Sequence, residues 1–538
     1  MSRFVSRRRS VQGVAAASAL ALLPAGRLAA QVRFGSQPFQ LGVASGDPAP
    51  DGFVLWTRLL PEPHEPGQLG RTIFEVDWEV AEDASFTRIV KAGREFAPPH
   101  LAHSVHAEVA GLEPGREYFY RFRLGRYESP VGRALTCPAP GASPASLRFV
   151  TTSCAQLEQG IFSSYRYMAE DRPDLIVELG DYVYEDGYGQ RRVRLVHKKE
   201  SVTLDDYRRL YTDYKLDPDL QAAHEACPWL VTWDDHEVDN DYAGLTGEHE
   251  LCGGEAVRSA FPARRAAAYQ AWYEHMPVRR SRLRGEGGIQ VFGAVDWGDL
   301  ARFYLLDTRQ YRSVQACARL ATPATCDTEA GRKLLFVGAG GGWRAPTYEP
   351  ACQEEMNDPS RTMLGAEQEA WLDGALGSSR AAWNLLAQGT PLAPIYEGAP
   401  DALLLFTDGW SAYPAAKQRL LDTLARRKTR NPVVLTGDLH AFFVNDVLDE
   451  RGRLATVELV TTSACNNNTD KSKWLHLNPH VRFHEGTHSG YTRCELTAGK
   501  LRADLVAIED MRDPRTPRSV LASFEVASGD PRARRIDG

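Results

Sequence analysis

Six short apolar runs in this chain each stop on polar, mostly ionisable residues. Leu147-Arg148-Phe149-Val150-Thr151-Thr152 leads to Ser153-Cys154, and Leu175-Ile176-Val177 leads to Gly180-Asp181-Tyr182-Val183-Tyr184. Leu230-Val231-Thr232-Trp233 leads to Asp234-Asp235-His236-Glu237-Val238-Asp239-Asn240, and Phe303-Tyr304-Leu305-Leu306 to Asp307-Thr308-Arg309. Val433-Val434-Leu435 leads to Gly437-Asp438-Leu439-His440, and Val457-Glu458-Leu459-Val460 to Thr461-Thr462-Ser463. Short β-branched runs of this kind read as buried parallel strands. Segments of helical period lie between them: Ser163 to Asp171, Ala256 to Met276 and Glu367 to Leu376. Alternating strand and helix predicts an α/β domain with much parallel sheet. Such sheets carry their sites at the carboxyl edge, where these polar residues fall.

A length of 538 residues calls for two domains or one large decorated one. At 43% hydrophobic and 25% charged, the chain has no bias toward disorder. A net charge of −7 gives no reason to expect nucleic acid or an anionic membrane as main partner. The one basic run, Arg191 to Lys199, reads as a solvated loop.

Residues 1–30 read as a leader. Ser6-Arg7-Arg8-Arg9-Ser10-Val11 precedes an uncharged stretch, and Leu28-Ala29-Ala30 supplies a small-residue cleavage site. The paired arginines resemble the twin-arginine type, with an ordinary general-secretion leader carrying surplus arginines as the rival, so the expected partner is the twin-arginine export machinery and the expected location periplasmic or secreted. No other stretch is long and apolar enough to span a bilayer, and a monomer is expected. An exported chain with nine cysteines should pair them where geometry allows, in up to four bridges, leaving at least one thiol. Cys154 is the expected odd one because it ends a strand of the motif set. Cys317 with Cys326 is the one local pair the spacing suggests.

Residues 38–140 alternate in shorter strands: Phe53–Thr57, Phe74–Val80 and His103–Val109. Leu112-Glu113-Pro114-Gly115 followed by Tyr118 and Tyr120 has the pattern of a fibronectin-like tyrosine corner. A fibronectin- or Ig-like β-sandwich is therefore expected, with Pro138 to Pro144 as linker to a catalytic domain at 146–525.

The strand ends hold the chemistry. Asp181 with Tyr184 offers a carboxylate and a phenol that suit a ferric ion, unless the tyrosine is only a core residue near a turn. Asp234, Asp235, His236 and Glu237 crowd four titratable groups, which calls for cations or hydrogen bonds to relieve repulsion; an acidic helix start is the plainer alternative. Asp438 and His440 are two apart, and on extended chain both reach one site.

Together these motifs resemble the calcineurin-like metallophosphoesterases, with Gly-Asp-x-x-Tyr as in their purple acid phosphatase branch. The resemblance is closer to the alkaline phosphatase D (PhoD) family of exported bacterial phosphatases. It extends to Ala44-Ser45-Gly46-Asp47-Pro48, Leu55-Trp56-Thr57-Arg58, Leu306-Asp307-Thr308-Arg309-Gln310, Gln368-Glu369-Ala370-Trp371-Leu372, Asp408-Gly409-Trp410 and Asn478-Pro479-His480. The resemblance implies a phosphoesterase with one Fe(III) and one or two Ca2+, acting on phosphomonoesters with diesters within its scope. It implies Cys154 and Tyr184 on iron, Asp181 bridging iron and calcium, and Asp438 and His440 as the last ligand pair. Asp235 and Asn240 both stand as candidates for calcium. The expected nucleophile is a metal-bound oxygen. His236, alongside Asp181, is the expected catalytic residue, as phosphate donor, acid or orienter of a carboxylate. Arg309 is the candidate for binding phosphate. Gly338-Ala339-Gly340-Gly341-Gly342 prompts a dinucleotide-binding reading, but Trp343 and the proline beyond it make a poor crossover helix. A non-catalytic surface module would leave the strand-end clusters without purpose.

Overall fold

The computed structural model describes residues 33–65, 67–187, 192–194, 199–247, 255–316, 344–346 and 350–537. The leader, the Gly338–Gly342 run, Cys252, Cys317, Cys326 and residues 191 and 195–198 of the basic run lie outside them.

Two large sheets pack face to face. The first has ten strands, and its centre is the parallel set Leu147–Thr152, Leu175–Glu178 and Trp229–Val231. Leu175 sits opposite Phe149, and Val177 opposite Leu230. The second has seven strands around the parallel set Ala301–Leu305, Trp383–Ala387, Pro432–Thr436 and Leu454–Val460. These strands read as continuous apolar runs because both faces are covered. Phe149, Leu175, Val177 and Leu230 meet Phe303, Leu385, Val433 and Leu459 between the sheets. Helices Ser163–Glu170, Leu204–Lys215 and Glu255–His275 cover the outer face of the first sheet. Gly365–Ser378 and Pro414–Arg426 cover that of the second. These seven strands send their carboxyl ends toward one edge, and all but Trp383–Ala387 are runs that the sequence singles out.

The front of the chain forms a second sandwich. A sheet of Ile89–Ala97, Phe74–Ala81 and Glu117–Leu124 packs on Val43–Ala49, Gly52–Arg58 and Ser104–Val109 through Phe53, Leu55, Val76, Val105, Tyr118 and Phe122. The Tyr118 hydroxyl accepts the Glu113 N–H at 3.0 Å. One of its two sheets is not separate, because Val43–Ala49 pairs in parallel with Trp229–Val231 and so continues the ten-stranded sheet. The Pro138–Pro144 segment is also tied down, with the Ala142 carbonyl accepting the Asp299 N–H at 2.7 Å.

The cysteines correct the expectation of one odd thiol and up to four bridges. Cys137, Cys154, Cys227, Cys465 and Cys494 are all free and buried. Cys137 and Cys494 pack between the sheets, and Cys227 and Cys465 in the helix-side core, as small apolar residues. Cys352 is disulfide-bonded. Core demand, which sequence spacing does not report, keeps most of these thiols unpaired.

Candidate metal centre

Backbone strain marks the site first. Cys154, Asp181, Asp438 and His440 have φ of +57°, +59°, +66° and +50°. Left-handed φ costs a side-chain-bearing residue about 1 kcal/mol or more, and such residues gather at functional sites. Each Gly-Asp motif needs its glycine for close approach. A Cβ on Gly180 would lie 2.4 Å from the Asp234 nitrogen, and one on Gly437 would lie 2.4 Å from Ser153 Oγ. The glycines let the ends of neighbouring strands from both sheets converge.

Two ligand groups result, and they share Asp181. Cys154, Asp181 and His440 present donor atoms within 4.8 Å of one another, as do Asp181, Asp235 and His236. The Tyr184 hydroxyl joins the first group, 3.1 Å from Asp181 Oδ2 and 3.0 Å from His440 Nε2. Cys154 Sγ lies 3.5 Å from the same Asp181 oxygen. Asp438 lies in the field of Asp234, Asp408 and Asp235, and its enclosed Oδ2 accepts no hydrogen bond. Asp235 Oδ1 is also buried without a hydrogen bond.

These groups cannot all ionise without cations. Burial, then Asp235 and Asp234, push the Asp181 carboxyl well above the carboxylate range, although His236 opposes them. Burial and the Asp234 charge do the same to Asp438. The Cys154 thiol and Tyr184 phenol are pushed up by burial and then by Asp181. Burial and His236 hold His440 at about 4, so it is a neutral imidazole. Enclosed acids with unpaired oxygens beside a thiol, a phenol and a neutral imidazole form a donor set that fits metal ions.

His236 stands at the rim of the second group. Its Nδ1 is 2.7 Å from Glu185 Oε2, and its ring lies 4.1 Å from that of Tyr184. Burial disfavours its proton, but Glu185, Asp235 and Asp181 outweigh that and raise its pKa well above the ordinary imidazole value. Between the two calcium candidates, Asp235 faces Asp181. Asn240 enters through its backbone N–H, 2.8 Å from Glu185 Oε1.

Arg309, the candidate for binding phosphate, sits among carboxylates. It is fully buried and grips Asp234 with Nε and Nη2, at 2.5 and 2.8 Å, while Nη1 lies 2.7 Å from Asp408. Arg312 holds the other Asp408 oxygen at 2.6 Å. A third acidic group, Asp235, Asp241 and Asp408, is faced by these two guanidiniums. Asp307 is a turn residue, its Oδ1 accepting the N–H groups of Arg309 and Gln310.

Glu185, Asp241, Arg312 and Asn466, whose amide is 3.3 Å from His440 Nε2, escaped the sequence reading. Glu185 and Asp241 had a local signal, as the residues following Tyr184 and Asn240. The others act across long sequence separations.

Comparison with known proteins defines the class. The family described as PhoD-like phosphatase matches residues 149–505, and the one described as its N-terminal domain matches residues 25–138. Alkaline phosphatase D of Bacillus subtilis is 39% identical over 540 aligned positions, covering 96% of this chain and 87% of that protein. A solved structure titled "Structure of PhoD" superposes with a TM-score of 0.84 at 40% identity, covering 94% of this chain and 93% of that one. The fold and site are those of a metal-dependent phosphoesterase. The chain belongs to the PhoD-like phosphatase family.

Proposed function

We propose that the centre holds Fe(III) in the group of Cys154, Tyr184, Asp181 and His440, and Ca2+ in the group of Asp181 and Asp235, with Asp438 completing the set. The carrying observation is Asp181, whose two oxygens face the two groups. The thiolate and phenolate suit a ferric ion, and the carboxylates suit calcium. Bound there, the cations supply charge neutralisation for a phosphate and acidify water.

The chain's own residues do the rest. Glu185 orients His236 through Nδ1, so its Nε2 can present a proton to the leaving oxygen of a phosphate ester. Buried Arg309 and Arg312 offset Asp234, Asp235 and Asp408, which keeps the acidic edge from repelling an anionic substrate. The substrate class is phosphomonoesters, in keeping with the relatives' name, with diesters accepted by the same centre. The two-sheet sandwich is of the calcineurin-like kind and the front sandwich of the fibronectin-like kind, serving as a buttress. The leader sends the protein through twin-arginine export to the periplasm or medium.

Turnover of p-nitrophenyl phosphate, abolished by a calcium chelator and restored by calcium, is the test. Undiminished turnover after chelation removes calcium from the mechanism, and a preference for bis(p-nitrophenyl) phosphate reverses the substrate order.

A further inference from the structure

Glu237 is fully buried behind the ligand groups and faces no cleft. Its Oε2 accepts the Asp181 N–H at 3.1 Å and the Asp234 N–H at 2.8 Å, while Oε1 accepts the Tyr182 N–H at 2.6 Å. These amides belong to two loops, each following one of a pair of adjacent parallel strands. The first loop needs such a partner. Gly180 and Asp181 have successive positive φ of +108° and +59°, so the N–H groups of Asp181 and Tyr182 converge on one carboxylate. Convergent backbone N–H groups form a concavity that binds an anion. Here the anion is intramolecular.

We infer that Glu237 is a positioning residue that fixes the separation of Asp181 from Asp235 and so sets metal retention. One carboxylate spans both loops, so the strained turn at Asp181 and the chain entering Asp235 move as a unit. Glutamine does not replace it fully, because with its oxygen on the Asp181 and Asp234 N–H groups its NH2 would oppose the Tyr182 N–H and release the strained turn from its second contact. The inference rests on the reading of Asp181 and Asp235 as ligands.

The test dialyses the full-length holoprotein against graded chelator and measures retained metal by elemental analysis, for the wild type, Glu237→Gln and Asp181→Ala. The expected result is metal loss from Glu237→Gln at about 10- to 100-fold lower chelator concentration than from the wild type, the range for groups that orient ligands, and complete loss from Asp181→Ala. Glu237→Gln retaining metal like the wild type while Asp181→Ala loses it overturns the clamp alone. Asp181→Ala retaining metal overturns the site reading and the inference with it. Should Glu237→Gln not fold, hydrogen exchange of the wild-type holoprotein decides. Slow exchange in the peptides containing Asp181, Tyr182 and Asp234 supports the clamp, and exchange as fast as that of exposed loops overturns it.

Discussion

In the first sheet, three neighbouring parallel strands lead to a thiol or acid of the two ligand groups: Cys154, Asp181 and Asp235. In the second, Pro432–Thr436 alone does so, through Asp438 and His440. Ala301–Leu305 ends instead on Asp307, which caps its own turn, and on Arg309, which is paired with Asp234 and Asp408. Glu458, inside Leu454–Val460, spends its carboxylate on the Leu392 and Ala393 N–H groups. An apolar run with a polar end therefore locates a strand end but does not say whether that end is ligand or scaffold. Left-handed φ at Cys154, Asp181, Asp438 and His440 sets the ligand ends of these strands apart from Asp307 and Arg309, and it is a property of the fold.

The contrast breaks most sharply at the ligands. Asp181→Ala and Asp438→Ala are expected to lower kcat/KM on p-nitrophenyl phosphate by about a thousandfold or more, because several kcal/mol of charge stabilisation goes with the metals. Near-normal turnover in either removes that residue from the ligand set. At the scaffold end, Arg309→Met leaves Asp234 and Asp408 buried and uncompensated and should cost about 3–5 kcal/mol in denaturant unfolding. A stable Arg309→Met protein with a raised KM would restore Arg309 as a phosphate-binding residue.

The seam between the two sandwiches offers a pH test away from the metals. His106 stacks on Tyr273 at 4.4 Å, its Nε2 lies near the Tyr273 and Met276 carbonyls, and Arg280 adds a repulsive charge. Burial holds it at about 4 against an ordinary 6.5. Between those values the unfolded chain binds a proton that the folded one refuses, so stability falls as pH drops from 6.5 to 4. The loss amounts to about 3 kcal/mol for this group. His106→Gln should flatten the acid limb of the unfolding profile, and an unchanged limb would assign the acid sensitivity elsewhere. The smallest effect sharpens the role of Glu185. Glu185→Gln is expected to lower kcat about 10- to 100-fold with metal content unchanged, and loss of metal instead would make Glu185 part of the ligand scaffold.

Much of this was legible in the chain. The Leu147–Thr152 strand has the bounds its pattern predicts, and the Gly-Asp runs do lead to one edge. The seam at Gly46 and Trp229 was not legible, because strand pairing across so long a separation leaves no local pattern. The free cysteines were misread because burial, not export, decides their state. The pairing of Arg309 was not legible because its carboxylate partners sit in distant motifs, although the sequence showed each of them.

The central claim is that Cys154 and Tyr184 share one ferric ion beside Asp181. Anomalous scattering at the iron edge, taken on crystals of the purified protein, tests it directly. The account predicts an iron peak bounded by Cys154, Tyr184, Asp181 and His440, in a coloured protein whose visible band bleaches or shifts in Tyr184→Phe. A colourless, iron-free and fully active enzyme with zinc or manganese at that position would contradict it.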